Sequence, residues 1–126
     1  MRTIIAGSRS ITDYAVVEEA VAASGFRPSV VLSGAARGVD TLAFDWGWEQ
    51  GVPVESYPAD WKKLGKHAGA IRNQIMAERA DALIAVWDGR SRGTADMIAK
   101  AKRRGLKVYV HDLSAGVTPG DGGRGE

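Results

Sequence analysis

Residues 33–40 read Ser-Gly-Ala-Ala-Arg-Gly-Val-Asp, and this stretch decides how the rest of the chain is interpreted. An apolar run at residues 30–32 precedes it, and an amphipathic helix is predicted over residues 39–50. The stretch is therefore a strand-to-helix turn of small residues, which let a ligand approach the backbone closely. Because the first N–H groups of a helix lack partners within the helix and the helix dipole is positive there, such a turn suits an anion, most often phosphate. A tight turn that simply needs glycine is the alternative interpretation.

Apolar runs alternate with helical patterns along the chain, and this alternation predicts the fold. Strands are predicted at residues 3–6, 29–32, 52–57, 82–87 and 106–111, and helices at 13–23, 39–50, 68–79 and 95–104. Continuous apolar strands favour an α/β, Rossmann-like, doubly wound parallel sheet of about five strands with helices on both faces. Pro53 suits an edge position for the third strand. Residues 1–113 are predicted to form one domain, and residues 114–126 a disordered tail.

The composition limits the classes of function. The 126 residues carry 17 basic and 15 acidic side chains, and a net charge of +2 does not by itself predict nucleic-acid or membrane binding. The chain has no cysteine, which excludes disulfides, and its two histidines, His67 and His111, are far apart, so we expect neither a metal nor a cofactor. No apolar run approaches the roughly 20 residues of a membrane helix. The strand-like start indicates no signal peptide, and we expect a cytoplasmic location.

Loops that follow the predicted strands differ from loops that precede them. The loops at residues 7–10, 33–38, 58–67 and 88–94 concentrate Gly, Ser, Thr, Arg and Asp, whereas the loops before strands are short helix ends. Because the carboxyl ends of parallel strands lie at one edge, where such sheets bind ligands, the first set should form the binding site. The expected ligand-binding residues are Gly7, Ser8, Arg9, Ser33, Gly34, Ala35, Arg37, Gly38, Asp40, Asp60, Asn73, Asp88, Gly89, Ser91, Arg92, Gly93 and Thr94.

Two of these loops invite specific roles. Residues 88–94, Asp-Gly-Arg-Ser-Arg-Gly-Thr, resemble residues 33–40 in having glycines, hydroxyls and a new helix N-terminus, and we expect them to contact phosphate or ribose. They match neither the Walker loop nor the dinucleotide Gly-x-Gly-x-x-Gly pattern. The alternative interpretation is an ordinary loop in which Thr94 caps the following helix. Asp60 and Asp88 each follow a strand. An acid there binds ribose hydroxyls, acts as a general base, or only caps a turn.

These motifs resemble the SLOG superfamily of Rossmann-like nucleotide-binding domains, above all its YspA-like branch of bacteria and phages. The resemblance implies a nucleotide or nucleotide-derived ligand. The residues that carry it are Gly7-Ser8-Arg9, residues 33–40, Pro58-Ala59-Asp60-Trp61, Gly65-Lys66, Arg72-Asn73 with Met76, residues 80–82, Trp87-Asp88-Gly89 and Gly93-Thr94.

LOG enzymes of this superfamily hydrolyse the N-glycosidic bond of nucleoside 5′-monophosphates. Their pattern joins an arginine before a methionine to Pro-Gly-Gly-x-Gly-Thr-x-x-Glu, and Arg72 and Gly93-Thr94 match it. The glutamate position falls on Met97, however, and Asp96 points about 100° away on a helix. If the chain is such an enzyme, Arg72 would orient phosphate or stabilise developing charge, and an acid among Asp60, Asp88 and Asp96 would assist water or the departing base. The expected catalytic residues are then Arg72, Asp96 and Asp88.

DNA-processing proteins of the DprA type carry a turn similar to residues 33–40 and bind single-stranded DNA. The small net charge and the lack of a basic stripe interleaved with aromatics make nucleic acid the less favoured partner. The helix at residues 39–50 also places Phe44 and Trp48 four residues apart, outside the apolar stripe that continues to Trp46. We therefore expect a homodimer built partly on this helix, as SLOG relatives often are.

Overall fold

The structure, a computed structural model, describes residues 1–114, so the predicted tail lies, apart from Ser114, outside the described residues. Five strands and five α-helices are found in residues 1–114, with a 3-10 turn at Gly65–His67. In chain order they are β1 (Arg2–Gly7), α1 (Tyr14–Ser24), β2 (Val30–Ser33), α2 (Val39–Gln50), β3 (Val54–Ser56), α3 (Trp61–Leu64), α4 (Ala68–Arg79), β4 (Ala82–Trp87), α5 (Arg92–Arg103) and β5 (Lys107–Asp112).

All five strands are parallel and follow the order β3-β2-β1-β4-β5. Ile4 of β1 lies opposite Leu32 of β2 on one side and Leu83 of β4 on the other. The strand order therefore reverses at β1, which makes the β1–β4 gap the switch point where such sheets bind ligands. The predicted fold class and the edge position of the third strand are confirmed.

Each face of the sheet has its own apolar layer, because alternate residues of a strand point to opposite faces. Ile5 and Ile84 pack with α1 and α2, and Trp46, 8% exposed, completes that layer. Ile4 and Leu83 pack with α4 and α5 on the other face. The helices thus bracket the sheet and leave its carboxyl edge open for the loops.

One short helix was not predicted and another helix begins earlier than predicted, and a side-chain cap explains each difference. Residues 61–64 form α3 where a polar loop was predicted, because the Asp60 carboxylate accepts a hydrogen bond from the backbone N–H of Lys63 at 3.1 Å. Helix α5 begins at Arg92 instead of residue 95, because the hydroxyl of Ser91 accepts from the N–H of Thr94 at 3.3 Å. The prediction of Thr94 as the cap was wrong, and Thr94 lies buried in the first turn.

Candidate functional site at the carboxyl edge

A cavity of about 640 Å³ opens at the carboxyl edge over the β1–β4 switch point. The loops after β1 and β4 and the first turns of α4 and α5 form its walls. Of the residues predicted from sequence, it is lined by Gly7, Ser8, Arg9, Asp40, Arg72, Asn73, Asp88, Ser91, Arg92, Gly93, Thr94 and Asp96. The side chains of Met76 and Met97 give the cavity an apolar floor and are both 1% exposed.

A second cavity of about 300 Å³ adjoins the first. Of the predicted residues, Gly34, Ala35 and Arg37 line this cavity alone, and Arg9 and Arg72 line both cavities. The sequence predicted a single ligand-binding site for these residues, whereas the structure distributes them over two cavities. The predicted residues that line neither cavity are Ser33, Gly38, Asp60 and Gly89.

Arg72 separates the two cavities and is held by the backbone of other elements. Its Nη1 donates to the carbonyl oxygens of Gly34, just after β2, and of Tyr57, just after β3, the latter at 3.4 Å. Burial lowers the pKa of the guanidinium, and the charge of Asp40 opposes that shift. A Cβ on Gly34 would lie 2.7 Å from Cζ of Arg72. Gly34 is therefore needed to admit Arg72.

A chain of side-chain hydrogen bonds connects Arg72 to α5. Nε of Arg72 donates to Oδ1 of Asn73 at 3.0 Å, and Nδ2 of Asn73 donates to Oδ2 of Asp96 at 3.0 Å. Lys100 then donates to both oxygens of Asp96 at 2.7 Å. Asn73 is only 5% exposed, so its amide is a buried link that needs each of these partners. The network holds the guanidinium of Arg72 in one orientation through its Nε atom.

The turn at residues 33–40 is stabilised from within. The Ser33 hydroxyl donates to the carbonyl of Asp40 at 2.8 Å and accepts from the N–H of Ala35 at 3.2 Å. The Asp40 carboxylate accepts from the N–H of Ala36 at 3.2 Å. Burial raises the pKa of Asp40, whereas the Ala36 hydrogen bond and the charges of Arg72 and Arg9 act in the opposite direction. Ser33 thus maintains the turn, and Asp40 forms part of the wall of the larger cavity.

The loops after β1 and β4 are joined at Ser8 and Asp88. The Ser8 hydroxyl, 1% exposed, accepts from the N–H of Asp88 at 3.1 Å. The Asp88 carboxylate in turn accepts from the N–H groups of Arg90 and Ser91, both at 2.8 Å. These backbone hydrogen bonds lower the pKa of Asp88, so its carboxylate stays ionised while it holds the loop.

Packing and backbone conformation require glycine at position 38 but not at position 93. Gly38 has a φ of 74°, and a Cβ there would meet the backbone of Arg9 at 2.6 Å, so the packing of the two loops requires it. Gly93 is in the first turn of α5, and apart from its chain neighbours and the backbone of its own helix, no atom of the described residues lies within 4 Å of a Cβ built on it. Neither packing nor backbone conformation explains a glycine at position 93, which faces the larger cavity.

The charges around the larger cavity favour an anionic ligand. Arg9, Lys66, Arg72 and Arg92 line it, and within residues 1–114 none of them forms an ion pair with a carboxylate. The acids of the cavity are already engaged: Asp88 by its loop, Asp40 by Ala36, and Asp96 by Lys100. Four cations against three carboxylates give the lining of the larger cavity a formal charge of +1, so an anion is favoured there.

Trp61 was missed as a site residue by sequence reasoning. It is 49% exposed, lines both cavities, and lies against the first turn of α4, where a Cβ on Gly69 would come within 3.3 Å of its ring. The signal in the sequence was the aromatic residue after Pro58-Ala59-Asp60, with Lys66 and Gly69 following it. Asp60, which was expected to contact the ligand, instead caps the short helix that carries Trp61.

Two classes of feature are not found in the part of the chain that the structure describes. Residues 1–114 contain no cluster of three or more His, Cys, Asp or Glu side chains that could hold a metal ion. None of the described helices combines the length and the apolar character needed to cross a bilayer.

Three similarities to known proteins bear on this site. A family profile described as YAcAr, the YspA, cpYpsA-related SLOG family, matches residues 1–64. The Gene 61 protein of Mycobacterium phage D29 is 37% identical over 116 residues, which cover 85% of this chain and 93% of that protein. The X-ray structure of DNA processing protein A (DprA) from Streptococcus pneumoniae superposes with a TM-score of 0.67 at 20% identity, over 86% of this chain. The chain spans 49% of that DprA chain, and this likeness concerns the fold.

Proposed function

The chain belongs to the YspA, cpYpsA-related SLOG family, and from that premise we propose that it binds a nucleotide or nucleotide-derived ligand in the larger cavity. One observation carries the proposal: the cations at the cavity have no ion-pair partner among the described residues, whereas each of its acids is engaged by another group of the protein. A ligand that brings phosphate oxygens completes this arrangement, because arginine binds phosphate through parallel N–H donors.

The positions of the loops suggest how the nucleotide lies. The phosphate sits at the first turn of α5, where Gly93 leaves open space and Arg92 and Arg9 supply charge. The base packs on the ring of Trp61, with the floor formed by the two methionines below it. The sugar lies between them, next to Asp88, whose remaining carboxylate oxygen is a hydrogen-bond acceptor.

Calorimetry with a panel of nucleoside 5′-monophosphates and diphosphates tests this function. We expect saturable binding by the wild type and at least a tenfold loss of affinity in Arg92→Ala, because a charged hydrogen bond to phosphate is removed. Arg103→Ala is the matched control, since it removes an exposed arginine from the other end of α5. A panel in which nothing binds, or equal affinities for the two variants, would refute the proposal.

Hydrolysis of the N-glycosidic bond is less well supported than binding alone. At the position of the LOG glutamate, Met97 is buried in the cavity floor. The predicted catalytic carboxylates are engaged elsewhere, Asp88 by backbone N–H groups and Asp96 by Lys100 and Asn73. Arg72 is held by backbone carbonyls. Chromatography of nucleoside monophosphates after incubation with the protein tests the reaction, and release of free base would favour hydrolysis over simple binding.

Single-stranded nucleic acid is a second candidate, and one observation favours it. The fold brings cations that follow four different strands to one edge of the sheet, and exposed Trp61 lies among them. The small net charge of the whole chain gave no sign of this local cluster. These cations include Arg9, Arg37, Lys62, Lys63, Lys66, Arg90 and Arg92. A positive groove with an aromatic platform binds single strands without sequence preference. Affinity for a twenty-base oligonucleotide that falls by 10²-fold or more between 50 and 200 mM salt would support this candidate.

We also propose that the chain forms a two-fold dimer through α2 and β3. Trp48 is 87% exposed and stands beside a groove of about 470 Å³ lined by Phe44, Val52, Pro53 and Val54. A protruding aromatic and an apolar groove on the same surface are self-complementary, so the Trp48 of each copy can fill the groove of the other.

A further inference from the structure

The smaller cavity differs chemically from the larger one. Arg9, Arg37 and Arg72 all line its volume of about 300 Å³, and no carboxylate from residues 1–114 lines it. Its remaining walls are uncharged, formed by the turn after β2, by Pro58 and Ala59, and by Trp61. Three guanidinium groups around so small a volume repel one another unless an anion lies between them. A volume of this size is at the lower end of the range of pockets that hold small molecules.

The two cavities share one wall, so a single molecule can reach into both. Arg9, Ala36, Trp61 and Arg72 line each of them. Arg72 is fixed in this wall by the carbonyls of Gly34 and Tyr57 through Nη1 and by Asn73 through Nε. Among the described residues, Nη2 has no acceptor, so it is available to an anion at the boundary of the cavities.

Trp61 lies at the boundary between the two cavities and is available to a ligand there. The ring lines both cavities and is half exposed, although the neighbouring turn of α4 supports it. A planar ring at a boundary between two anion sites is suited to a base that lies between two phosphate groups. A mononucleotide in the larger cavity would leave the three-arginine cavity without an anion.

We infer that the ligand carries two phosphate-bearing nucleotide units, one in each cavity, joined across the wall formed by Arg72 and Trp61. A linear dinucleotide has this chemistry. The inference rests on the proposed function for the larger cavity and adds a second anion site, whose specific residue is Arg37.

Calorimetry with two probes tests this inference: adenosine 5′-monophosphate and the 5′-phosphorylated dinucleotide pApA. In the wild type, pApA should bind at least tenfold more tightly than the monophosphate. Arg37→Ala should reduce this ratio to less than threefold, because it removes a donor of the smaller cavity. Arg92→Ala, in the larger cavity, should weaken both probes and preserve the ratio. Arg37 is exposed, so the variant should fold as the wild type does.

The possible failures are distinguishable. If the monophosphate does not bind at all, the proposed function fails. If it binds but pApA binds no better, or if Arg37→Ala leaves the tenfold ratio intact, only the two-site inference is overturned. A ten-base adenylate strand that binds more than tenfold tighter than pApA also overturns it, since the occupant would then be a longer nucleic acid.

Discussion

The Nδ2 atom of Asn73 lies 3.0 Å from Oδ2 of Asp96, and this hydrogen bond joins α4 to α5 behind the candidate site. The oxygen of the same amide group accepts a hydrogen bond from Nε of Arg72, which precedes Asn73 on α4. The orientation of the Arg72 guanidinium therefore depends, through Asn73, on Asp96 of α5. Lys100 completes the connection from the far side of Asp96. The arrangement of the site is therefore set by the packing of two helices.

Replacement of Asn73 tests this connection. We expect Asn73→Ala to lower the free energy of unfolding by about 1–3 kcal/mol, because it leaves the buried partners of the amide unsatisfied. Gln74→Ala is the control on the same helix, since among residues 1–114 the Gln74 side chain hydrogen-bonds only to exposed Glu78, and it should cost less than about 0.5 kcal/mol. Urea denaturation measures both values. Equal effects would mean that Asn73 is not a structural link.

Gly93→Ala should separate folding from binding. Alanine in place of a helical glycine stabilises by about 0.5–1 kcal/mol, and nothing described in the structure obstructs the added methyl group. The same methyl should reduce nucleotide affinity at least tenfold, because it occupies the space where phosphate approaches α5. Ala99→Gly, exposed on the same helix, is the control for propensity and should destabilise without changing affinity. Unchanged affinity in Gly93→Ala would place the phosphate elsewhere.

Trp61 should report directly on the ligand. We expect nucleotide binding to change the tryptophan fluorescence of the wild type and of Trp48→Phe, but not of Trp61→Phe, because only Trp61 and not Trp48 lines the cavities. Trp61→Ala should weaken binding by about 1–3 kcal/mol, the range for loss of stacking on one base. A fluorescence change that persists without Trp61 would contradict its role as a platform.

The ion pair between Arg2 and Glu55 predicts a pH dependence of stability. Glu55 accepts from Arg2 at 2.6 Å and from the Tyr57 hydroxyl at 2.6 Å, and these bonds lower its pKa to about 2. A lowered carboxyl pKa contributes stability that is present above the unfolded value of 4.5 and is lost as the pH falls toward 2. Glu55→Gln should therefore be less stable than the wild type at pH 7, with the gap closing by pH 2.

Denaturation at several pH values measures this gap. Glu19→Gln, exposed on α1, serves as the control and should show no comparable trend. A gap that stays constant from pH 7 to pH 2 would show that the charge of Glu55 contributes no stability.

The proposed dimer is tested by light scattering coupled to size exclusion. The wild type should have twice the 13.4 kDa mass of one chain, and Trp48→Glu should have the mass of a monomer. Because Trp48 is 87% exposed, this variant should unfold within about 0.5 kcal/mol of the wild type. Thr41→Glu, also exposed on α2, is the charge-matched control. A wild-type monomer at tens of micromolar would refute the dimer.

The sequence by itself determined the fold and the edge of the sheet where the site lies. Strands such as Ala82–Trp87 are continuous apolar runs because helices cover both of their faces. A run of this kind can be recognised from the few residues of the strand itself. The loop asymmetry followed from the same topology, since all parallel strands end at one edge.

Only the tertiary structure decided which loop residues are available to a ligand. The sequence left Asp60 as a ribose contact, a general base or a turn cap, and the outcome depended on a helical turn that the local pattern did not predict. Arg72 meets the carbonyl of Gly34, 38 residues away, which divides one predicted site into two cavities. Such contacts depend on side-chain direction and on distances between elements remote in sequence, and neither periodicity nor composition contains that information.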